Sequence, residues 1–165
     1  MTSRVDTELP SDHFEPHVPG IDYGVLDSLL GYGVRRAQLL IYEDFVATLA
    51  PWSITPQRFS ALTVISRNAQ LKLTQLARIL GIARSGAVLL VDALAAMGYV
   101  ERVPSPEDRR AYGLVLTPKG IEDLKVITEA VCEHDRRIGA RLAPEESREM
   151  MRLLRLLRLV AGPRA

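Results

Sequence analysis

The sequence is poor in the residues that carry catalysis and metal binding. It has one cysteine, Cys132, and three histidines, His13, His17 and His134, in 165 residues. A single cysteine excludes an internal disulfide framework and fits a reducing compartment. His13 and His17 sit four apart, as a helical metal pair would, but Pro16 lies between them and no cysteine or third histidine is near. Both read as solvated side chains. There is no HExxH, no cysteine pair, no phosphate-cradling glycine loop and no nucleophile elbow. Glu133-His134-Asp135 is the one dense cluster. Consecutive residues on a helix point about 100 degrees apart, so these three cannot converge on one ion. Neither enzymatic chemistry nor a metal or cofactor is expected. Long apolar runs and a signal peptide's basic and apolar regions are also missing, so the expectation is a cytoplasmic protein with no membrane association. The formal net charge is only +1.

That charge is unevenly spread. Residues 71–120 hold seven basic and four acidic side chains, a local +3, and the remainder of the chain carries −2. The basic stretch is also the most patterned one. Leu73 to Gly120 opens with two short helical patterns; Thr74 is placed to cap the first with its hydroxyl, Gly81 to close it, and the second runs from about Arg84 to Met97 and stops at Gly98. Tyr99 to Val103 alternates at strand period, a proline-flanked charged tip spans Pro104 to Arg110, and Tyr112 to Leu116 returns as a second strand. Helix, turn, helix and hairpin make a winged helix-turn-helix. Positive charge therefore lies where phosphate contacts would be needed.

The hairpin carries Asp108-Arg-Arg110, and its return strand runs into Leu116-Thr-Pro-Lys-Gly120. With Leu80-Gly81, Arg84-Ser85, Val91-Asp92, Leu94 and Gly98-Tyr-Val-Glu-Arg102 at matching spacing, the stretch resembles the multiple-antibiotic-resistance regulator family, MarR. The resemblance implies a mainly α fold with a small β-hairpin wing, in which a winged helix-turn-helix sits inside a helical dimerisation body. It also implies a homodimeric repressor on a pseudo-palindromic operator in double-stranded DNA. The residues it points to for DNA are Thr74, Gln75, Arg84, Ser85 and Gly86 in the helix-turn-helix and Asp108, Arg109 and Arg110 at the wing. Arg110 is expected in the minor groove with Asp108 orienting its guanidinium, and Arg109 on phosphate. The recognition helix departs from the commoner pattern: Gly86-Ala-Val-Leu-Leu90 is apolar, and Ala93 and Met97 stand where basic residues are common. Apolar side chains there can meet thymine methyl groups, or the surface can serve packing.

The chain divides by pattern into residues 1–22, a polar acidic arm; 23–54, a first dimerisation helix and linker; 55–120, the winged domain; and 121–165, further dimerisation helices. From Tyr23 to Leu49, apolar residues recur at three- and four-residue steps, which predicts one long amphipathic helix. Gly31-Tyr32-Gly33 within it weakens helix propensity and suggests close packing or room for a ligand. Arg35-Arg36 reads either as a solvated pair or as an anion clamp. Thr55 and Pro56 open a second helix that ends near Asn68. Trp52 and Phe59 are core aromatics or pocket walls. After Gly120, one apolar helix runs to Arg141 and another follows Pro144, carrying Met150 to Val160 with Arg152, Arg155 and Arg158 as a polar stripe. Such a helix suits a membrane surface or, at the end of a helical protein, a buried partner helix.

Leu30-Gly-Tyr-Gly-Val-Arg-Arg-Ala-Gln38, together with the apolar recognition helix, is similar to a MarR subgroup that responds to hydroxycinnamic and related aromatic acids or their coenzyme A thioesters. That likeness implies an effector site in which Arg35 or Arg36 pairs the ligand's negative group and Tyr32, Trp52 or Phe59 lies against its ring. Two other readings stay open: a winged-helix module for protein contact, and a redox-responsive regulator using Cys132. The charge of Glu133 beside Cys132 opposes a thiolate, so oxidation is not the expected trigger.

Overall fold

Caps and prolines set most of the helix starts. In this computed structural model, which describes residues 14–104 and 112–157, Thr55 accepts a hydrogen bond from the Arg58 amide at 3.3 Å and Pro56 opens α2 (Pro56–Arg67). Thr117 accepts from the Gly120 amide at 3.0 Å and Pro118 opens α5 (Pro118–Ile138). Pro144 opens α6 (Pro144–Leu156), where the Glu146 carboxylate reaches back to the Ala143 amide at 2.7 Å. Each device satisfies a backbone N–H that the helix itself leaves open. The remaining helices are α1 (Leu30–Leu49), α3 (Leu73–Leu80) and α4 (Arg84–Ala96).

Three strands form one antiparallel sheet in the order β1-β3-β2. The hairpin strands are β2 (Val100–Pro104) and β3 (Tyr112–Leu116), paired from Val100 opposite Leu116 to Pro104 opposite Tyr112. β1 (Leu71–Lys72), which the sequence pattern does not reveal, pairs Leu71 with Leu114 and Lys72 with Gly113. The fold class expected from sequence holds, with a third strand added to the wing.

Two helix starts differ from expectation. Thr74 is not a cap: α3 begins at Leu73, Lys72 holds the extended cap position, and Gln75 Oε1 accepts from the Lys72 amide at 2.9 Å. Pairing of Lys72 with β3 draws the helix start two residues earlier than a Thr74 cap would place it. The long helix expected from Tyr23 is also broken. Asp22 Oδ1 accepts from the Gly24 amide at 2.8 Å, Gly24 takes a left-handed φ of +54°, and a 3-10 turn (Gly24–Ser28) precedes an extended Leu29. The Asp22 turn competes locally with the helix and wins. At the other end α5 stops at Ile138 rather than Arg141, and Arg158 to Val160 of the last apolar segment lie outside the described residues. No single helix among the described residues is long and apolar enough to cross a membrane.

The chain separates into two compact units, Met1–Asp44 and Phe45–Ala165. In the first, the Arg36 guanidinium lies 5.2 Å from the centroid of Tyr23 and 5.3 Å from that of Tyr32, and meets Asp27 at 3.5 Å. Gly31 and Gly33 have no neighbour within 4 Å of a notional Cβ. His17 is exposed, its ring 5.2 Å from Tyr23; His13 lies outside the described residues.

The second unit has the core. Leu49, Leu62, Leu76, Val91, Leu94, Leu114 and Ile127 are fully buried and draw together α2, α3, α4, β3 and α5. Each such side chain stabilises the fold by roughly 1.5–3 kcal/mol relative to an exposed one. One joint ties the end of α4 to the start of α5. Gly98 leaves the helix at φ +76°, its carbonyl accepts from the Thr117 hydroxyl at 2.6 Å, and the Thr117 amide donates to the Tyr99 carbonyl at 3.0 Å. Gly120 sits so close that a Cβ would overlap the Tyr99 carbonyl oxygen. Lys119 closes the joint, its ammonium 3.9 Å from the Tyr99 ring centroid and bonded to Asp123 at 2.5 Å; the Asp123 carboxylate holds the ammonium above the usual lysine range.

Gly120→Ala is therefore expected to destabilise the fold by about 1–3 kcal/mol, the usual range for overpacking. Gly86→Ala, whose Cβ would meet only Ile82 at an ordinary 3.9 Å, should be neutral or stabilise by up to about 1 kcal/mol, because alanine favours a helix interior. Urea denaturation followed by circular dichroism measures both. Equal stabilities for the two variants would contradict the joint.

Candidate nucleic-acid interface

The two helices of the helix-turn-helix each bury one face and expose the other. On α3, Leu76 and Ala77 enter the core while Thr74, Gln75 and Arg78 are exposed. Gln75 spends its side-chain oxygen on the Lys72 amide at 2.9 Å. Gly81, at φ +65°, ends the helix as the sequence predicts. Its amide meets the carbonyls of Ala77 and Arg78, and the turn leads to α4.

On α4 the apolar run resolves residue by residue. Ala87, Leu90, Val91 and Leu94 are buried, and Gly86, Val88 and Ala93 are half-buried. Met97, beyond the helix, packs on the core. Leu89 alone of the run stands out, 71% exposed. It shares its face with Ser85, four residues before, and Asp92, three after, and Arg84 is exposed at the helix start. Packing therefore accounts for most of the apolar character, and not for Leu89. The spacing of Ser85, Leu89 and Asp92 is the signal from which sequence could have separated this residue from its neighbours.

Asp92 would set a carboxylate on this face, but Arg102 of β2 donates to it at 2.6 Å. Ten residues separate the pair, and no local pattern announces it. The ion pair neutralises the one acid of α4 and pins the wing strand to the helix. Lys72, Arg78 and Arg84 are exposed and have no ion pair among the described residues. They remain available to phosphate. Asp108, Arg109 and Arg110 lie outside the described residues, and β2 and β3 are described up to Pro104 and from Tyr112.

The residues expected to hold an effector are divided between the two units, with Tyr32, Arg35 and Arg36 in the first and Trp52 and Phe59 in the second. Arg36 faces Tyr23 and Tyr32 with its side chain mostly covered, whereas Arg35 is exposed and its guanidinium donates to Gln38 at 2.6 Å. Arg36 is thus committed inside its own unit and Arg35 is the accessible cation of the pair. In the second unit, Trp52 and Phe59 are partly buried against the core. Phe59 stands 6.2 Å from Phe45, whose other edge meets the buried His134 at 5.3 Å. Arg137 on α5 donates to Thr48 on the last turn of α1 at 2.6 Å. An open groove between α2, β3 and α5 has Leu116, Ile121 and Leu124 as apolar lining with Arg67 and Lys125 among its polar groups. None of the expected effector residues lines it.

A family model described as MarR family matches residues 52–111. The chain is 34% identical to a candidate transcriptional regulatory protein for the hcr operon of Thauera aromatica, over 82% of each chain. In structure it is similar to the transcriptional repressor CouR bound to a 23-mer DNA duplex, with TM-score 0.76 and 37% identity over 86% of this chain and 99% of that one. CouR bound to p-coumaroyl-CoA is similar at TM-score 0.77 and 33% identity, over 83% of this chain and 96% of that one.

Loss of Arg102 should expose the Asp92 carboxylate to DNA as well as remove a cation. Arg102→Ala is expected to weaken DNA binding by on the order of 1 kcal/mol, about fivefold. Arg102→Ala with Asp92→Asn should recover part of that loss. Fluorescence anisotropy on a labelled duplex reads the cycle, and no recovery in the double variant would contradict the shielding role.

Proposed function

This chain belongs to the MarR family of winged-helix transcriptional regulators, and we propose that it is a cytoplasmic, dimeric repressor released from its operator by an aromatic carboxylic acid or its coenzyme A thioester. The observation that carries the DNA-binding part is the outward face of α4, where Arg84, Ser85 and Leu89 stand clear of the core, with Arg78 of α3 and Lys72 just before it also exposed. CouR, solved both on DNA and with p-coumaroyl-CoA, supports the effector class.

Dimerisation is supported by apolar surface left without cover. On α6, Met150, Leu153, Leu154 and Leu157 recur at helical spacing and are each 40–48% exposed. Leu26, Leu29, Leu30 and Val34 are likewise exposed. A single chain leaves these faces to water, and a two-fold partner would bury them. In this reading residues 23–54 and 121–165 build the dimer body, and residues 55–120 read DNA. The arm, residues 1–22, takes no assigned part.

Release follows from geometry. A two-fold operator fixes the separation of the two recognition helices at about one helical turn, roughly 34–36 Å. An effector that fits only the misaligned dimer weakens operator binding, and DNA weakens effector binding by the same factor. Moving the population from 1:99 to 99:1 needs a differential affinity of about 10⁴, roughly 5.5 kcal/mol. Arg35 is the favoured partner of the ligand's negative group because it is exposed, while Arg36 is held by Tyr23, Tyr32 and Asp27. Tyr32, Trp52 and Phe59 are the aromatic candidates for the ring. Redox control through Cys132 has less support. The thiol is exposed on α5, but the sequence holds no second cysteine with which it could form a disulfide inside the subunit.

Calorimetric titration of hydroxycinnamates and their coenzyme A thioesters, with and without operator, tests the effector class. Wild type should bind at least one, operator should weaken that binding, and Arg35→Ala should lose about 1.5–3 kcal/mol, the worth of a charged hydrogen bond. No binding, or binding indifferent to DNA, would remove this class of effector.

A further inference from the structure

We infer that Leu89 is a specificity-determining residue that reads the 5-methyl group of thymine in the major groove. The inference rests on the DNA-binding reading given above. Leu89 is the most exposed large apolar side chain among the described residues, at 71%, yet it stands in the middle of the helix that the fold presents to DNA. Its surroundings are polar or small. Ser85 and Asp92 flank it along the face, Arg84 opens the helix, and Asp92 is occupied by Arg102. This is unlike the apolar surface of α6, where several large side chains adjoin one another and suit a partner helix. A leucine with no large apolar neighbour along its own face of α4, on a helix opened by Arg84, fits a polyanion that offers a small apolar target. The thymine methyl is the one apolar group displayed on base edges in the major groove.

The rest of α4 supports the same recognition. Gly86, Ala93 and Ala96 carry little or no side chain, so the helix can approach the base edges closely. The side chains that commonly read purines by paired hydrogen bonds, arginine, lysine, asparagine and glutamine, are absent from Ser85 to Ala96. Arg84 at the helix start is the exception, and the Asp92 carboxylate, which could otherwise accept from cytosine, is held by Arg102 at 2.6 Å. Apolar contact with thymine is the base readout left to the centre of this helix.

The test uses the full-length protein. An operator is selected from a random duplex pool, and each thymine is replaced in turn by deoxyuridine, which removes only the methyl group. Binding of wild type and Leu89→Ala is measured by fluorescence anisotropy, with circular dichroism to check that the exposed substitution leaves the fold intact. At one thymine in each half-site, related by the dyad, deoxyuridine should weaken wild-type binding about fourfold, the worth of burying one methyl group, and about sixteenfold when both are replaced. Leu89→Ala should bind more weakly than wild type and be indifferent to deoxyuridine at those positions. The inference is overturned if no thymine matters to wild type, or if Leu89→Ala keeps the same dependence; in either case the selected operator still supports the regulator. If no duplex is enriched at all, the DNA-binding reading fails and this inference with it, and a protein partner becomes the occupant of the face.

Discussion

A single threonine hydroxyl connects the part of the molecule that meets DNA to the long helix that leads away from it. Thr117 donates to Gly98 at the end of the recognition helix and accepts from Gly120 in the first turn of α5, while its amide holds the Tyr99 carbonyl. Gly120 permits this only because it has no Cβ, and Gly98 only because it adopts a left-handed φ. The end of α4, the first wing strand and the start of α5 are therefore bound at one point. A shift at the start of α5 would bear directly on the end of the recognition helix. Such a joint suits a regulator in which a shift of the helical body must reach the recognition helix.

The reading surface is economical in polar groups. α4 spends most of its apolar residues on the core and pairs its one acid with Arg102, so the exposed side chains larger than alanine that it leaves for the proposed contact with DNA are Arg84, Ser85 and Leu89. Affinity in such an arrangement comes mainly from cations on phosphate, which gives binding that falls steeply with salt. Specificity then rests on a few contacts and on the spacing of two half-sites. The misalignment proposed for the effector acts on that spacing.

The sequence made some of this legible and hid the rest, for identifiable reasons. Thr55-Pro56, Thr117-Pro118, Gly81 and the strand Tyr112–Leu116 were readable because their chemistry is local: a cap, a ring-locked φ or a left-handed glycine acts within four residues. Thr74 misled because a long-range pairing of Lys72 with Gly113 outweighed a hydroxyl cap. The helix start at Leu30 was missed because the turn held by Asp22 and Gly24 interrupts an otherwise continuous apolar period. In the candidate site, Gly86 to Leu90 contains no polar side chain, so Leu89 is set apart only by its helical spacing from Ser85 and Asp92, a weaker signal than a cap or a turn. The pairing of Asp92 with Arg102 and the enclosure of Arg36 by two tyrosines arise from folded geometry.

The most direct test of the joint is native-state hydrogen exchange on Thr117→Val, which keeps the side chain's shape and removes its hydroxyl. The joint predicts that protection falls together, about tenfold for each 1.4 kcal/mol lost, in the first turn of α5 and at the Met97 to Tyr99 amides that end α4. Loss confined to the first turn of α5, with the end of α4 and β2 unchanged, would reduce Thr117 to a helix cap and contradict the link between the recognition helix and α5.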